Sequence, residues 1–393
     1  MPVLVVLAIL CLPLTGVAGE TGDEDAFYWI GIIEPTGRTL GPGASATPLT
    51  LMYDLEGSKA LLRGYDHEDE LRVVDGDLET LAILEPPSEG FSVDGAVISA
   101  NGNHVFAWGR TPTNTSDMLV AYNLTDYRWE EDYLPQDLLG LEDIYAVRLM
   151  AGDKILVVAG KDTNDTKQLL FVEVVPKMLL KTEPVPGNLR VIDIVHDGIK
   201  MIVLLGDGSI VLYSTYDWTM EQTYQVFKGP FSAYEVKRRS DWHFGSSEGV
   251  TVSLTIYDSV SRLDLNLTHG PVQGVYSVEY YGHLITAIPE EASGSRMDAW
   301  VHGQNGWESN SKYVTEATVT SMVEDPNANS TFAVMFDDGS MEFFQVGLKK
   351  RYFGDDNGPA FMDRYGIIIG PSIVIAIILT VRYLLKRRKA DQD

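Results

Sequence analysis

The chain has 393 residues, with 30 basic against 56 acidic side chains, a net charge of −26, a hydrophobic content of 45% and one cysteine. The acid excess excludes nucleic-acid binding by the bulk surface, which needs clustered Lys and Arg to meet phosphate. The lone Cys11 excludes a disulfide framework or a Cys-cluster metal site, and the apolar content excludes disorder, leaving two or three ordinary domains or one large all-β unit.

Pro2 to Leu14 is an apolar run, followed by Thr15-Gly16 and the small residues Val17-Ala18-Gly19, after which the chain turns acidic at Glu20. This is the layout of a secretory signal peptide over residues 1–19, cut after Gly19 or Ala18, although no Lys or Arg precedes the run. As a helix the run rises about 20 Å, short of the ~30 Å hydrocarbon core, so it is expected to be removed and not kept as a span. Leu10 stands where a lipobox needs a small residue, so Cys11 reads as part of the apolar run and the mature chain as cysteine-free.

Residues 20–364 form the expected extracytoplasmic part, with 25 basic and 54 acidic side chains, a net charge of −29. No stretch keeps helical periodicity for three turns; short β-rich runs alternate with Gly, Asp, Asn and Pro. The first is Phe27–Ile33. Two later segments, Met201–Tyr213 and Phe332–Phe344, share one plan of strand, Asp-Gly-Ser turn and strand, and Asp-Gly is a strong hairpin signal because the turn needs positive φ. Taking the second strand as a marker, related segments occur at Glu70–Asp75, Met118–Asn123, Leu169–Glu173, Ser209–Tyr213, Ser261–Leu265, Asp298–Val301 and Ser340–Phe344. With Leu71, Leu119, Leu170, Ile210, Leu263, Ala299 and Met341 as anchors the steps are 48, 51, 40, 53, 36 and 42 residues, averaging 45. A β-repeat of about 40–50 residues predicts four-stranded propeller blades.

The repeated pattern and its period resemble the WD40-like and PQQ-like β-propeller superfamily over residues 25–355, although no blade carries the Gly-His and Trp-Asp dipeptides in place. The resemblance implies an all-β ectodomain of about seven blades, one rigid face and a loop-lined central channel. Phe27–Ile33 falls outside the seven units and is expected to join the last blade, closing the ring so that no sheet edge stays open. Two tandem β-sandwiches would match the strand content but not one marker per 45 residues.

Candidate chemistry is sparse. Gly41-Pro42-Gly43-Ala44-Ser45-Ala46 fits a dinucleotide-loop spelling, but Pro42 and Pro48 stop the helix such a loop must open. Gly245-Ser246-Ser247-Glu248-Gly249 spells a nucleophile elbow, but a β-branched strand follows where a helix is required. The seven histidines, His67, His104, His196, His243, His269, His283 and His302, never fall at a metal-ligand spacing. Acidic clusters at Asp23–Asp25, Asp66–Glu70, Glu130–Asp132 and Asp355–Gly358 lack the full Asp-x-Asp-x-Asp-Gly loop, so they read as solvated loops with at most weak Ca²⁺ binding. No other cofactor, and no catalytic constellation, is expected. Five N-x-[ST] sequons, at Asn114, Asn123, Asn164, Asn266 and Asn329, suit a glycosylated exported surface. Most tryptophans read as packing between sheets; Trp300 and Trp307, flanking His302 and a Gly-rich turn, are the candidates for a binding rim that stacks on a sugar or a partner.

Tyr365–Leu385 is an apolar run of 21 residues with one charge, Arg382, near its end. At ~1.5 Å per residue it predicts one transmembrane helix. Lys386-Arg387-Arg388-Lys389 follows at once and puts the tail, residues 386–393, in the cytoplasm. The expectation is a single-pass cell-membrane protein with its N-terminus outside. Gly366 and Gly370 make a GxxxG face through which two copies can dimerise. A cysteine-free, acidic, sequon-bearing exported chain suggests an archaeal envelope protein, with a eukaryotic membrane protein as the alternative. The functional expectation is a surface module that binds a protein or glycan; the alternative is a carbohydrate hydrolase or lyase with its site in the channel.

Overall fold

The computed structural model describes residues 27–33, 50–66, 69–130, 140–175, 177–196, 199–236, 242–248, 251–256, 260–264, 271–278, 283–290, 294–303, 306–326 and 331–346. The expected signal peptide over residues 1–19, the apolar run 365–385 expected to span a membrane, with Gly366 and Gly370, and the basic tail 386–393 lie outside them. Among the described residues no helix is long and apolar enough to cross a membrane.

Strand β1 (Phe27–Ile33) comes first in the chain and is paired last. The next strands follow in antiparallel groups of four. Blade 1 is β2 (Thr50–Tyr53), β3 (Lys59–Arg63), β4 (Leu71–Asp75) and β5 (Thr80–Leu84). Blade 2 is β6 (Ser92–Ile98), β7 (His104–Arg110), β8 (Met118–Asn123) and β9 (Arg128–Glu130). Blade 3 is β10 (Leu141–Met150), β11 (Ile155–Asp162), β12 (Lys167–Glu173) and β13 (Met178–Pro184). Blade 4 is β14 (Val191–His196), β15 (Lys200–Leu205), β16 (Ser209–Ser214) and β17 (Met220–Gln225). Blade 5 is β18 (Phe231–Glu235), β19 (Trp242–Ser246), β20 (Thr251–Ile256) and β21 (Val260–Asp264). Blade 6 is β22 (Gly274–Val278), β23 (His283–Pro289), β24 (Ser295–Gly303) and β25 (Gly306–Thr315). The last sheet is β26 (Val319–Glu324), β27 (Thr331–Phe336) and β28 (Met341–Val346), with β1 as its outer strand.

Each junction between neighbouring sheets holds its own apolar cluster. Val97, Phe106 and Leu119 of blade 2 meet Leu156, Val158 and Leu170 of blade 3. The ring closes where Ala333, Met335 and Met341 of the last sheet meet Leu51, Leu62 and Val74 of the first. The second strand of a blade is covered on both faces, which is why β15 reads Met-Ile-Val-Leu-Leu and not as an alternation: Met201 to Leu205 have no exposed surface. The outer strand β17 is exposed at five of its six positions. The chain is therefore an all-β propeller, and β1 closes it, pairing from Phe27 against Val346 to Ile33 against Met341.

The Asp-Gly-Ser turns behave alike in both hairpins. Asp207 Oδ1 accepts from the Ser209 backbone N–H at 2.9 Å and from its hydroxyl at 2.6 Å, and Asp338 does the same for Ser340 at 2.8 and 2.6 Å. Gly208 and Gly339 supply the required positive φ, 83° and 85°. A Cβ on Gly208 would also lie 2.1 Å from the Gly229 carbonyl oxygen. Gly208→Ala should thus lower unfolding stability by about 2 kcal/mol or more, the left-handed penalty plus the clash, read as a shift of the denaturant midpoint; Gly339→Ala is the natural companion.

One marker from the sequence needs correcting. In six sheets the marker falls on the third strand, but Ser261–Leu265 falls on β21, the fourth strand of blade 5. The third strand there is β20, and replacing Leu263 by Val252 as the anchor turns the uneven steps of 53 and 36 into 42 and 47. Sequence spacing alone cannot tell two adjacent antiparallel strands of equal β character apart.

Buried tyrosines give the ring an alkaline limit. Burial pushes the phenols of Tyr122 and Tyr213 up to about 12, and burial with the Asp325 charge pushes Tyr53 higher. A folded-state value raised above the unfolded ~10 leaves stability fully present below pH ~10 and removes it as pH rises further, because the unfolded chain ionises first. Thermal midpoints should fall steeply between about pH 10 and 12, and Tyr122→Phe should flatten that fall.

Candidate functional site

The first strands of all the sheets line a central cavity of about 550 Å³. Many of the lining residues are small, among them Gly95, Ala96, Ala146, Ala233, Gly274 and Ser321, because inner strands converge and leave little room for side chains. At Gly95 the Trp108 ring occupies the place of a Cβ, 2.1 Å from where it would be.

The upper end of the ring is the end where β2 starts and β3 finishes. There the pairing of first and second strands slips by one residue in five sheets: at Val93/Gly95, Leu141/Asp143, Val191/Asp193, Phe231/Ala233 and Val319/Ser321. Each slip leaves one unpaired residue on the inner strand. Four of these, Asp94, Ile192, Ser232 and Thr320, line the cavity mouth. Bulges re-aim side chains at such rims, so four of the five bulged sheets each present one residue around a common opening.

Deeper in, Arg148 of β10 reaches two other blades directly and a third through Asp193. Its Nε donates to the Ile194 carbonyl at 2.6 Å, one Nη lies 3.0 Å from Asp193 Oδ2, and the other lies 3.6 Å from the Met52 sulfur. The Tyr234 hydroxyl donates to the same Asp193 oxygen. Burial works against the Arg148 charge, but Asp193 and Tyr234 outweigh it and the guanidinium is held above its ordinary value. Burial, then the Asp193 charge, pushes the Tyr234 phenol well up. The result is a charged, hydrogen-bonded brace across the channel.

An ionic belt follows the upper rim of blades 1–3. Arg72 pairs with Asp66 at 2.5 Å and Glu70 at 2.7 Å, Asp69 accepts from the Val93 N–H at 2.8 Å, and Arg63 donates to the carbonyls of Val93 and, at 2.7 Å, Asp94. Arg110 bridges Asp117 at 2.7 Å and Asp143 at 2.6 Å, with Lys161 3.0 Å from Asp143. Burial and the Asp117 charge raise Asp94, opposed by Arg110 and Arg63.

The sequence candidates fall elsewhere. The acidic stretch at 66–70 is the blade 1 end of this belt, with Asp66 and Glu70 on Arg72; Asp23–Asp25, Glu131, Asp132 and Asp355–Gly358 lie outside the described residues. No group of three His, Asp or Glu among the described residues is placed to hold a metal. Ser246 ends β19, which pairs directly with β20, so the GxSxG spelling joins two strands. Trp300 and Trp307 lie on β24 and β25, away from the channel, half-buried on the cluster of Ala233, Val272, Val275 and Leu284. Trp300 Nε1 donates to Thr286 at 2.9 Å, and the His302 side chain lies outside the description. Asn114 and Asn164 are exposed in upper connections. Asn123, at the other end of blade 2, donates its Nδ2 to Glu130 at 2.9 Å and accepts from the Thr125 N–H at 2.8 Å. Asn266 and Asn329 lie outside the described residues. Sequence reading missed Arg148, Asp193 and Tyr234; the available signal was a charge set inside apolar strand runs, Ala-Val-Arg-Leu-Met and Val-Ile-Asp-Ile-Val.

The geometry defines the class, a β-propeller with a narrow, braced channel. No family model and no curated protein matches the chain.

Proposed function

We propose that this is a membrane-anchored extracytoplasmic propeller, on the WD40-like and PQQ-like plan, that acts as a protein- or glycan-binding scaffold at the cell envelope. The observation that carries the reading is the use made of the channel's charges. Arg148 and Asp193 are joined to each other, Asp193 to Tyr234 and Arg148 to a backbone carbonyl, an arrangement that stiffens the wall, while the bulged positions around the mouth carry a carboxylate, an aliphatic chain and two hydroxyls. A rigid ring with a variable rim suits recognition, since little ordering remains to be done on binding. Signal-like and membrane-like segments at the two ends supply the proposed location. Affinity purification from solubilised native membranes, with mass spectrometry of what co-elutes, should recover a stoichiometric partner; none, together with turnover of a glycan panel, would sink the idea.

That panel also tests the second reading, an extracytoplasmic carbohydrate hydrolase or lyase. Asp94 favours it, since a carboxyl raised by burial and a neighbouring carboxylate at a cavity mouth is what acid–base chemistry uses. Asp94→Asn would abolish turnover under this reading and leave partner recovery intact under the first.

Glycosylation follows from the same location. Asn114 and Asn164 should carry glycans, and Asn123 should be bare because its Nδ2 and Oδ1 are engaged inside the C-terminal turn of β8. Site-resolved glycopeptide mass spectrometry of the native protein decides this.

A further inference from the structure

The lower end of the ring differs from the upper end in its turn tips. Leu55, between the first two strands of blade 1, is 80% exposed; Val175, after the third strand of blade 3, is 79% exposed; Ile199 and Tyr216, in the two lower connections of blade 4, are 53% and 95% exposed. Among the described residues, the other large exposed apolar side chains sit within or at the ends of strands; none tips an upper connection. Soluble surfaces scatter such residues, but four at the tips of one face need a reason.

The chain's own exit supplies one. β28 runs downward, and Val346, its last residue, pairs with Phe27 at the lower end. From there 18 residues lead to the apolar run beginning at Tyr365, and Lys349, Lys350 and Arg351 come almost at once. Leu55, the pair Ile199–Tyr216 and the exit at Val346 stand on three separate sectors of the ring and so define a plane. Lys154 and Lys177 lie on that side, but so do the exposed Glu56 beside Leu55, Asp77, Glu79, Asp126 and Asp217 beside Tyr216, so the described lower connections are net acidic and their match to a bilayer is through the apolar tips. Apolar and aromatic tips at one level match the chemistry of a lipid interface. The exposed sequons Asn114 and Asn164, in turn, belong to the other end.

We propose that the lower face of the propeller lies against the outer surface of the bilayer, with Leu55, Val175, Ile199 and Tyr216 inserted at headgroup depth, so that the bulged channel mouth is held facing away from the membrane. This rests on the anchoring reading above.

The test uses the full chain in a Cys11→Ser background, reconstituted in nanodiscs of zwitterionic lipid. Single nitroxide labels go at Val175→Cys, Ile199→Cys and Tyr216→Cys, with Asp337→Cys in an upper turn and Ile375→Cys within the apolar run as references. The expected result is several-fold higher relaxation by dissolved oxygen than by a water-soluble nickel chelate at the three lower sites and at Ile375→Cys, and the reverse at Asp337→Cys. Lower sites that behave like Asp337→Cys while Ile375→Cys is in lipid overturn this proposal alone. An aqueous Ile375→Cys overturns the anchoring and this proposal with it. Hydrogen exchange of the unlabelled chain offers a check independent of labelling: the connections at 54–58 and 214–219 should gain protection on transfer from detergent to nanodiscs, and unchanged exchange counts against it.

Discussion

A chain from which residues 27–33 are deleted, so that β1 is missing, should lose its cooperative melting transition and form strand-mediated oligomers. Six backbone partnerships, from Phe27 with Val346 to Ile33 with Met341, hold β1 on β28. At about 1 kcal/mol for each hydrogen bond lost, their removal takes away a large part of a typical domain's net stability. The second effect is worse than the first. Without β1, the edge of β28 is open along Met341–Val346, a strand with Met341, Phe344 and Val346 buried, and an open apolar edge templates pairing with another chain. Size-exclusion chromatography and thermal unfolding of the purified protein measure both, and adding a peptide of residues 27–33 in trans should partly restore the monomer. A truncated protein that stays monomeric with an unchanged midpoint would refute the closure argument.

Replacing the channel brace gives the next largest effect. Arg148→Met should destabilise by about 3 kcal/mol, the lower end of the range for breaking a buried pair, because the Arg148 and Asp193 side chains keep 22% and 16% of their exposure. The cost comes from leaving Asp193 charged in the channel, with Tyr234 as its remaining side-chain donor, and from the bond lost at the Ile194 carbonyl. The pair Arg148→Met with Asp193→Leu should therefore recover most of the loss, and Arg148→Lys only part, since an ammonium cannot serve the carboxylate and the carbonyl with one planar fork. Urea midpoints of the four proteins form the test; a double variant no better than the single would mean that the arginine acts through packing alone.

Much of the fold was legible because blades are local. All but the last sheet, which takes β1, are four consecutive strands, so the Asp207-Gly208-Ser209 and Asp337–Ser340 turns and the period near 45 residues appear directly in the chain. The role of Phe27–Ile33 was legible too, because a lone strand ahead of a repeat has one edge left to satisfy. The fifth marker failed where β20 and β21 are similar β-rich runs. The candidate site was scarcely legible. Trp300 and Trp307 drew notice as aromatics near glycine, yet they pack on the core of the blade 5 and 6 junction. Arg148, Met52, Asp193 and Tyr234 are separated by tens of residues and meet only because their inner strands face one axis.

The amino-acid sequence by itself determined the repeat, the turn chemistry, the acidic surface and the apolar runs at the two ends, because each of these is written in neighbouring residues. The tertiary structure alone decided which strand of each unit lies innermost, where the pairing slips to present Asp94, Ile192, Ser232 and Thr320 at the mouth, and which turn tips share the lower face. The physical reason is ring closure: it brings residues from distant blades to one axis and one plane, and no local pattern in the chain encodes that meeting.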